Sequence, residues 1–193
     1  MEDHGTPAHV IGHCKAVAHV SIVVGKALNA KGFHLDIDLM RAAGLLHDIE
    51  RTEQNHDEAG ATLLHGLGLD EEAAIVRVHM RYPAFNPMEQ VTETDIVCLG
   101  DRVCRNNQYV GLDARMDYIL EKFKDNPQAS KVIKANILIN KTFIAGLEQA
   151  LGIGLDALMA TNPLDEKGYR VVGGEEVGWE QPADMPSDKI LLR

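Results

Sequence analysis

Apolar residues recur at helical spacing along almost the whole chain, and no segment alternates apolar and polar residues in the two-residue period of a strand. The first helix is predicted over 13–30, with His13, Val17, Val20, Val24 and Leu28 on one stripe, closed by Lys31-Gly32. Asp36 caps a second helix whose face reads Leu39, Ala43, Leu46 and His47 and which ends around Asp48-Ile49. Asn55 followed by Glu58 makes an N-cap pattern for a third helix over 56–67, closed by Gly66 and Gly68. Asp70 caps a fourth helix through Met80, and Thr92 opens a fifth through about Cys104. Between these two, Pro83 and Pro87 mark a loop over 81–91. Further helices fit 112–124 and 129–151. After Ala160 the helical period stops, and Gly168, Gly173, Gly174, Gly178, three prolines and Trp179 follow. The expected organisation is an all-α bundle of about six to seven helices over 1–160 with an irregular tail over 161–193.

Composition narrows the partners. The 193 residues carry 19 basic and 29 acidic side chains, a formal net charge of −10, and no basic run that would neutralise the phosphates of a nucleic-acid duplex. No apolar stretch is read as reaching the roughly 18 residues that span a bilayer, and residues 1–13 lack the apolar region of a signal peptide. Three cysteines, Cys14, Cys98 and Cys104, are too few and too irregularly spaced for a disulfide framework or a zinc ribbon. They read as buried thiols of a cytoplasmic protein, and a homo-oligomer is compatible with the sequence.

The nine histidines are the unusual item. His13 lies on the apolar stripe of the first helix. His47-Asp48 ends the second after the apolar run Ala42-Ala43-Gly44-Leu45-Leu46, His56 opens the third, and His79 ends the fourth on its Ile75/Val76 face. Asp101 lies inside Ile96-Val97-Cys98-Leu99-Gly100, where a carboxylate costs several kcal/mol to bury without a partner. Each position alone has an ordinary explanation: a histidine at a helix end is commonly a cap or a surface residue, and Asp101 has Arg102 and Arg105 nearby. His4, His9, His19, His34 and His65 are read that way. Taken together, four imidazoles and two carboxylates on apolar faces form a ligand set for divalent transition metals. Six such groups suit two ions better than one, with Asp48 bridging ions roughly 3.5–4 Å apart.

The spacing resembles that of the HD-domain metal-dependent phosphohydrolases over about residues 9–150. The motifs are His13 in "HCKAVAHVS", His47 and Asp48 in "AAGLLHDIERT", and Asp101 in "IVCLGDRVC". His56 in "NHDEAGATLLHGLGL" and His79 in "AAIVRVHMRY" match the subset with a dinuclear centre, in the branch that includes diadenosine tetraphosphate hydrolases of the YqeK type. Only seven residues separate Asp48 from His56, which is short for that subset and implies a site without a lid. The Gly-Tyr-Pro motif of the cyclic-di-GMP phosphodiesterase branch is absent, since Arg81-Tyr82-Pro83 stands there. The run "DRVCRNNQYVGLDAR" is also similar to HD modules found with molybdenum-cofactor nucleotidyltransferases.

The resemblance implies two divalent ions (Fe, Mn, Ni, Co or Zn). His13, His47 and Asp101 complete one site, His56 and His79 complete the other, and Asp48 is shared. It implies hydrolysis of a phosphoester or phosphoanhydride of a nucleotide or other small phosphate, with Asp48 and Arg51 in the catalytic machinery. Arginine offers a bidentate fork to phosphate, so Arg51, Arg102 and Arg115 are the expected substrate contacts. Two alternatives stay open: a mixed-valent di-iron oxygenase with the same ligand pattern, and a non-catalytic metal-binding regulatory module.

Overall fold

The computed structural model describes residues 1 and 4–164, and its regular structure is almost entirely helical. In chain order the elements are α1 (Ala8–Asn29), α2 (Ile37–Leu46), α3 (His56–Gly66), α4 (Asp70–Val78), α5 (Glu93–Val103), β1 (Cys104–Arg105), β2 (Gln108–Tyr109), α6 (Leu112–Lys122), α7 (Pro127–Leu151) and α8 (Leu155–Ala160). Short 3-10 turns at His79–Arg81 and Met88–Gln90 fill the loop after α4.

Local chemistry accounts for several helix ends. The Asp36 carboxylate accepts from the backbone N–H groups of Asp38 and Leu39, and Thr92 with Asp95 forms a reciprocal capping box. Asn126 caps α7 ahead of Pro127, and Gly152 ends it in the left-handed conformation. Asn55 is different: it precedes α3 but its side chain makes no capping hydrogen bond, so the expected N-cap pattern is not realised. Likewise α4 is preceded by Leu69, and Asp70 is its first helical residue rather than its cap. The hairpin β1–β2 and the short helix α8 were not expected. Each is only a few residues long, below the length at which periodicity is visible.

α1 is the axis of the bundle. Its stripe of Val17, Val20, Val24 and Leu28 is buried against Met40 and Ala43 of α2, Ile96, Val97 and Leu99 of α5, and Leu147 of α7. Each such side chain contributes roughly 1.5–3 kcal/mol on burial. A smaller cluster of Ala61, Leu64, Ala73 and Val76 joins α3 to α4.

Two glycines set how close the central helices come. A Cβ on Gly44 of α2 would lie 2.8 Å from the Ala18 Cα of α1, and one on Gly100 of α5 would lie 3.1 Å from the Val17 carbonyl oxygen. The backbones of α2 and α5 therefore press against α1 where the sequence then presents His47-Asp48 and Asp101.

α1 corrects one expectation. Its 22 residues include an 18-residue window of mean hydropathy 1.3, which meets the length and composition of a membrane-crossing helix, although 67% of that window is buried inside the bundle. Thr161–Leu164 continue without regular structure after α8. The rest of the predicted tail, from 165 onward, lies outside the described residues.

Candidate metal centre

The fold brings all six expected ligand residues to one place. His13 comes from the first turns of α1, His47 and Asp48 from the end of α2, His56 from the start of α3, His79 from the turn after α4, and Asp101 from α5. His47, Asp48, His56 and His79 are buried. The turn carrying the His-Asp pair is held from the N-terminal side: Thr6 Oγ1 donates to the Ile49 carbonyl at 2.9 Å and His4 pairs with Glu50.

The imidazoles are oriented by backbone carbonyls. His47 Nδ1 lies 2.9 Å from the Gly44 oxygen, His79 Nδ1 lies 2.6 Å from that of Val76, and His13 Nδ1 lies 3.2 Å from that of Asn106. A carbonyl can only accept, so each Nδ1 carries the hydrogen, and each ring in its neutral form turns its Nε2 lone pair inward. There His13 Nε2 meets Asp101 Oδ1 at 2.9 Å. His56 and His79 Nε2 stand 3.1 and 3.5 Å from Asp48 Oδ1, and His47 Nε2 stands 3.7 Å from Asp48 Oδ2 and 3.9 Å from Asp101 Oδ1.

Lone pairs facing carboxylate oxygens repel unless a cation or a proton lies between them. His47 Nε2, His79 Nε2 and Asp48 Oδ1 are all buried without a hydrogen-bond partner. Such groups are expensive to leave unsatisfied, and a divalent ion satisfies all three at once. Among the described residues, two groups bring three ligand atoms within 4.8 Å of one another: His13, His47 and Asp101, and His47, Asp48 and His79. The donor set, neutral imidazole with carboxylate, is that of a divalent transition metal.

Electrostatics follow from this crowding. Burial holds the His47 imidazole down at about 4, against the pull of Asp48 and Asp101. At His79 burial also pulls down, but contact with Asp48 outweighs it and the net shift is upward. Burial works to raise both carboxyls, yet the surrounding imidazoles, with Arg51 for Asp48 and Arg115 for Asp101, hold both well below the usual carboxylate range. Cys14 is buried beside the cluster, where desolvation and the Asp48 and Asp101 charges push its thiol well above the ordinary value. It is a protonated packing residue.

The three arginines are placed differently. Arg51 lies in the turn after the His-Asp pair, with Nε 3.2 Å from Asp48 Oδ2 and Nη1 3.1 Å from His56 Nε2. Arg115 on α6 lends positive charge to Asp101, and its Nε is buried without a hydrogen-bond partner. Arg102 points to the loop after α4, donating to the Tyr82 carbonyl at 2.7 Å and lying 5.0 Å from the Phe85 ring centroid.

Of the histidines set aside, His19 meets the Asn162 carbonyl at 2.7 Å and His65 pairs with Asp70, both outside the cluster. A residue missed by the pattern is Asn106. It adopts φ of 52° at the tip of the β1–β2 hairpin, and its carbonyl fixes His13. The readable signal was the Asn106-Asn107 pair, because asparagine tolerates the left-handed turn.

Fold and cluster together define an all-α domain with His/Asp groups able to hold divalent metal. Residues 10–106 match the HD domain family, and the chain belongs to this family of metal-dependent phosphohydrolase type. It is 28% identical over 153 residues to an uncharacterized protein of Methanocaldococcus jannaschii, covering 68% of this chain and 88% of that protein. Over 81 residues it is 35% identical to a tRNA (cytidine(56)-2'-O)-methyltransferase of Thermoplasma volcanium, covering 40% of this chain and 22% of that one. No solved structure gives a significant match.

Proposed function

We propose that this chain hydrolyses a phosphoester or phosphoanhydride of a nucleotide or another small phosphate, using two divalent transition-metal ions. The observation that carries the reading is the buried Asp48 carboxylate, faced by the Nε2 atoms of His47, His56 and His79 and by the Arg51 guanidinium. His13, His47, Asp48 and Asp101 would hold one ion, and Asp48, His56 and His79 the other, the set seen in the YqeK-type branch. Ions held there would supply a water acidic enough to ionise near neutral pH and charge to offset the negative charge developing on phosphoryl oxygens.

The protein's own groups do the rest. The carbonyls of Gly44, Val76 and Asn106 hold three imidazoles in the tautomer that keeps Nε2 as a donor atom, the outer-shell role such partners play at metal sites. Arg51, next to Asp48 and part exposed, is placed to grip a phosphate with its planar fork. Arg115 adds positive charge behind Asp101. Arg102, engaged by the Tyr82 carbonyl and the Phe85 ring, would have to leave them to reach a substrate.

The test is elemental analysis of chain purified without chelator, followed by a phosphate-release screen over nucleotides and simple phosphate esters. Release that is metal-dependent and absent in Asp48→Ala is the expected result. Iron with oxygen consumption and no phosphate release would instead establish the oxygenase chemistry.

A further inference from the structure

Arg51 occupies an unusual position for a substrate-binding arginine. Its guanidinium touches two of the three groups that the second ion would need, with Nε 3.2 Å from Asp48 Oδ2 and Nη1 3.1 Å from His56 Nε2. His56 Nε2 is at the same time 3.1 Å from Asp48 Oδ1. Nη1 lies 3.4 Å from His56 Nδ1 as well. A guanidinium has donors and no acceptor, so in the tautomer that offers Nε2 to a metal it takes that lone pair, which then cannot serve the ion. The two demands on this nitrogen exclude each other.

We propose that Arg51 is a displaceable cation standing in the second metal position. Guanidinium and divalent ion compete there for Asp48 and His56, and an incoming phosphate draws the arginine away so that the second ion can enter. The proposal rests on the two-ion reading above and adds to it an order of assembly: first ion, then phosphate, then second ion.

Several features single out Arg51 as the member that moves. Its side chain is 24% exposed, whereas those of Asp48 and His56 are 7% and 4% exposed. It sits in the short turn between α2 and α3, not inside a helix. A phosphate offers it the bidentate partner that a single imidazole nitrogen does not. In the first group, His13 Nε2 and His47 Nε2 lie 2.9 and 3.9 Å from Asp101 Oδ1, and Arg51 takes part in neither contact. The two positions are therefore unequal before substrate arrives. Linkage then requires phosphate and second ion to strengthen each other's binding by the same factor.

The experiment is a Mn(II) titration of the full, chelator-stripped chain. Calorimetry reads the two affinities, and EPR distinguishes isolated from paired Mn(II) ions. The unmodified protein is expected to take a second ion on the order of tenfold or more weakly than the first, and Arg51→Gln to close that gap by on the order of tenfold. Inorganic phosphate is expected to tighten the second ion more in the unmodified protein than in Arg51→Gln. Paired ions forming with the same two affinities, and the same phosphate effect, in both proteins would overturn the role of Arg51 and leave the two-ion reading standing. A single Mn(II) bound in both at every concentration would defeat the two-ion reading itself, and the proposal with it.

Discussion

Asp95 and Asp101 lie on the same helix, α5, one in its first turn and one near its end, and both are carboxylates among apolar neighbours. Asp95 is fully buried and saturated by the chain. It accepts from Tyr82 Oη at 2.8 Å, from Asn86 N and Nδ2 at 2.9 Å, and from Thr92 N and Oγ1 at 2.8 Å. Burial pushes its carboxyl up, but these donors outweigh it and the net shift is downward. Asp101 is held by His13 alone at hydrogen-bonding distance, next to His47 Nε2 and Asp48 Oδ1, two atoms without a hydrogen-bond partner. The first carboxylate is complete as a structural hub that pins the 82–92 loop. The second belongs to a set that only a cation completes, and incomplete satisfaction of buried polar groups is what separates a site from a scaffold.

That contrast breaks most visibly on activity. Asp101→Asn should lose bound metal and phosphate release by more than about a hundredfold, since even supporting residues at metal sites cost 10–100-fold. Asp95→Asn should retain metal, as read by elemental analysis. On stability the order reverses. Asp95→Ala leaves five donors without their acceptor and should cost about 3 kcal/mol in urea unfolding of the metal-free chain, while Asp101→Ala should cost less than about 1 kcal/mol.

Gly44→Ala tests the geometry that serves only the second carboxylate's neighbourhood. Its Cβ would sit 2.8 Å from Ala18 Cα, so α1 and α2 must part, costing about 1–3 kcal/mol and weakening metal affinity together.

The smallest effect is a pH dependence confined to the metal centre. His47, held down at about 4, stays neutral in the fold while the unfolded ring protonates near pH 6.5, so its stabilisation is lost as pH falls from about 6.5 toward 4. His79, shifted upward, has the opposite sign: its contribution is full below about 6.5 and is lost as pH rises through its raised value. The metal-free chain should therefore have its highest Tm near pH 6.5. His47→Asn should flatten the acid limb by a few degrees, read by thermal unfolding across the pH series.

The helices and the six clustered side chains were legible because both depend on local pattern. A stripe such as Val17, Val20, Val24 and Leu28 declares the buried face, and His13, His47, His79 and Asp101 were conspicuous as polar groups on such faces. Asp95 escaped notice because its position at the start of α5 reads as an ordinary capping-box acid, and its further donors come from Tyr82 and Asn86 in a loop. Asn55 showed the converse: a good local N-cap pattern that the tertiary structure does not use. Arg102 adjoins Asp101 in sequence, yet successive helical residues point in different directions, and it serves Tyr82 and Phe85 of the loop after α4.

By itself the sequence determined an all-α chain with imidazoles and carboxylates on its apolar faces, because burial period and side-chain chemistry are properties of short segments. Only the tertiary structure decided which lone pairs meet, that Gly44 and Gly100 let α2 and α5 close on α1, and that the Arg51 guanidinium lies between Asp48 and His56. Those are distances between segments remote in the chain, and packing, not periodicity, sets them.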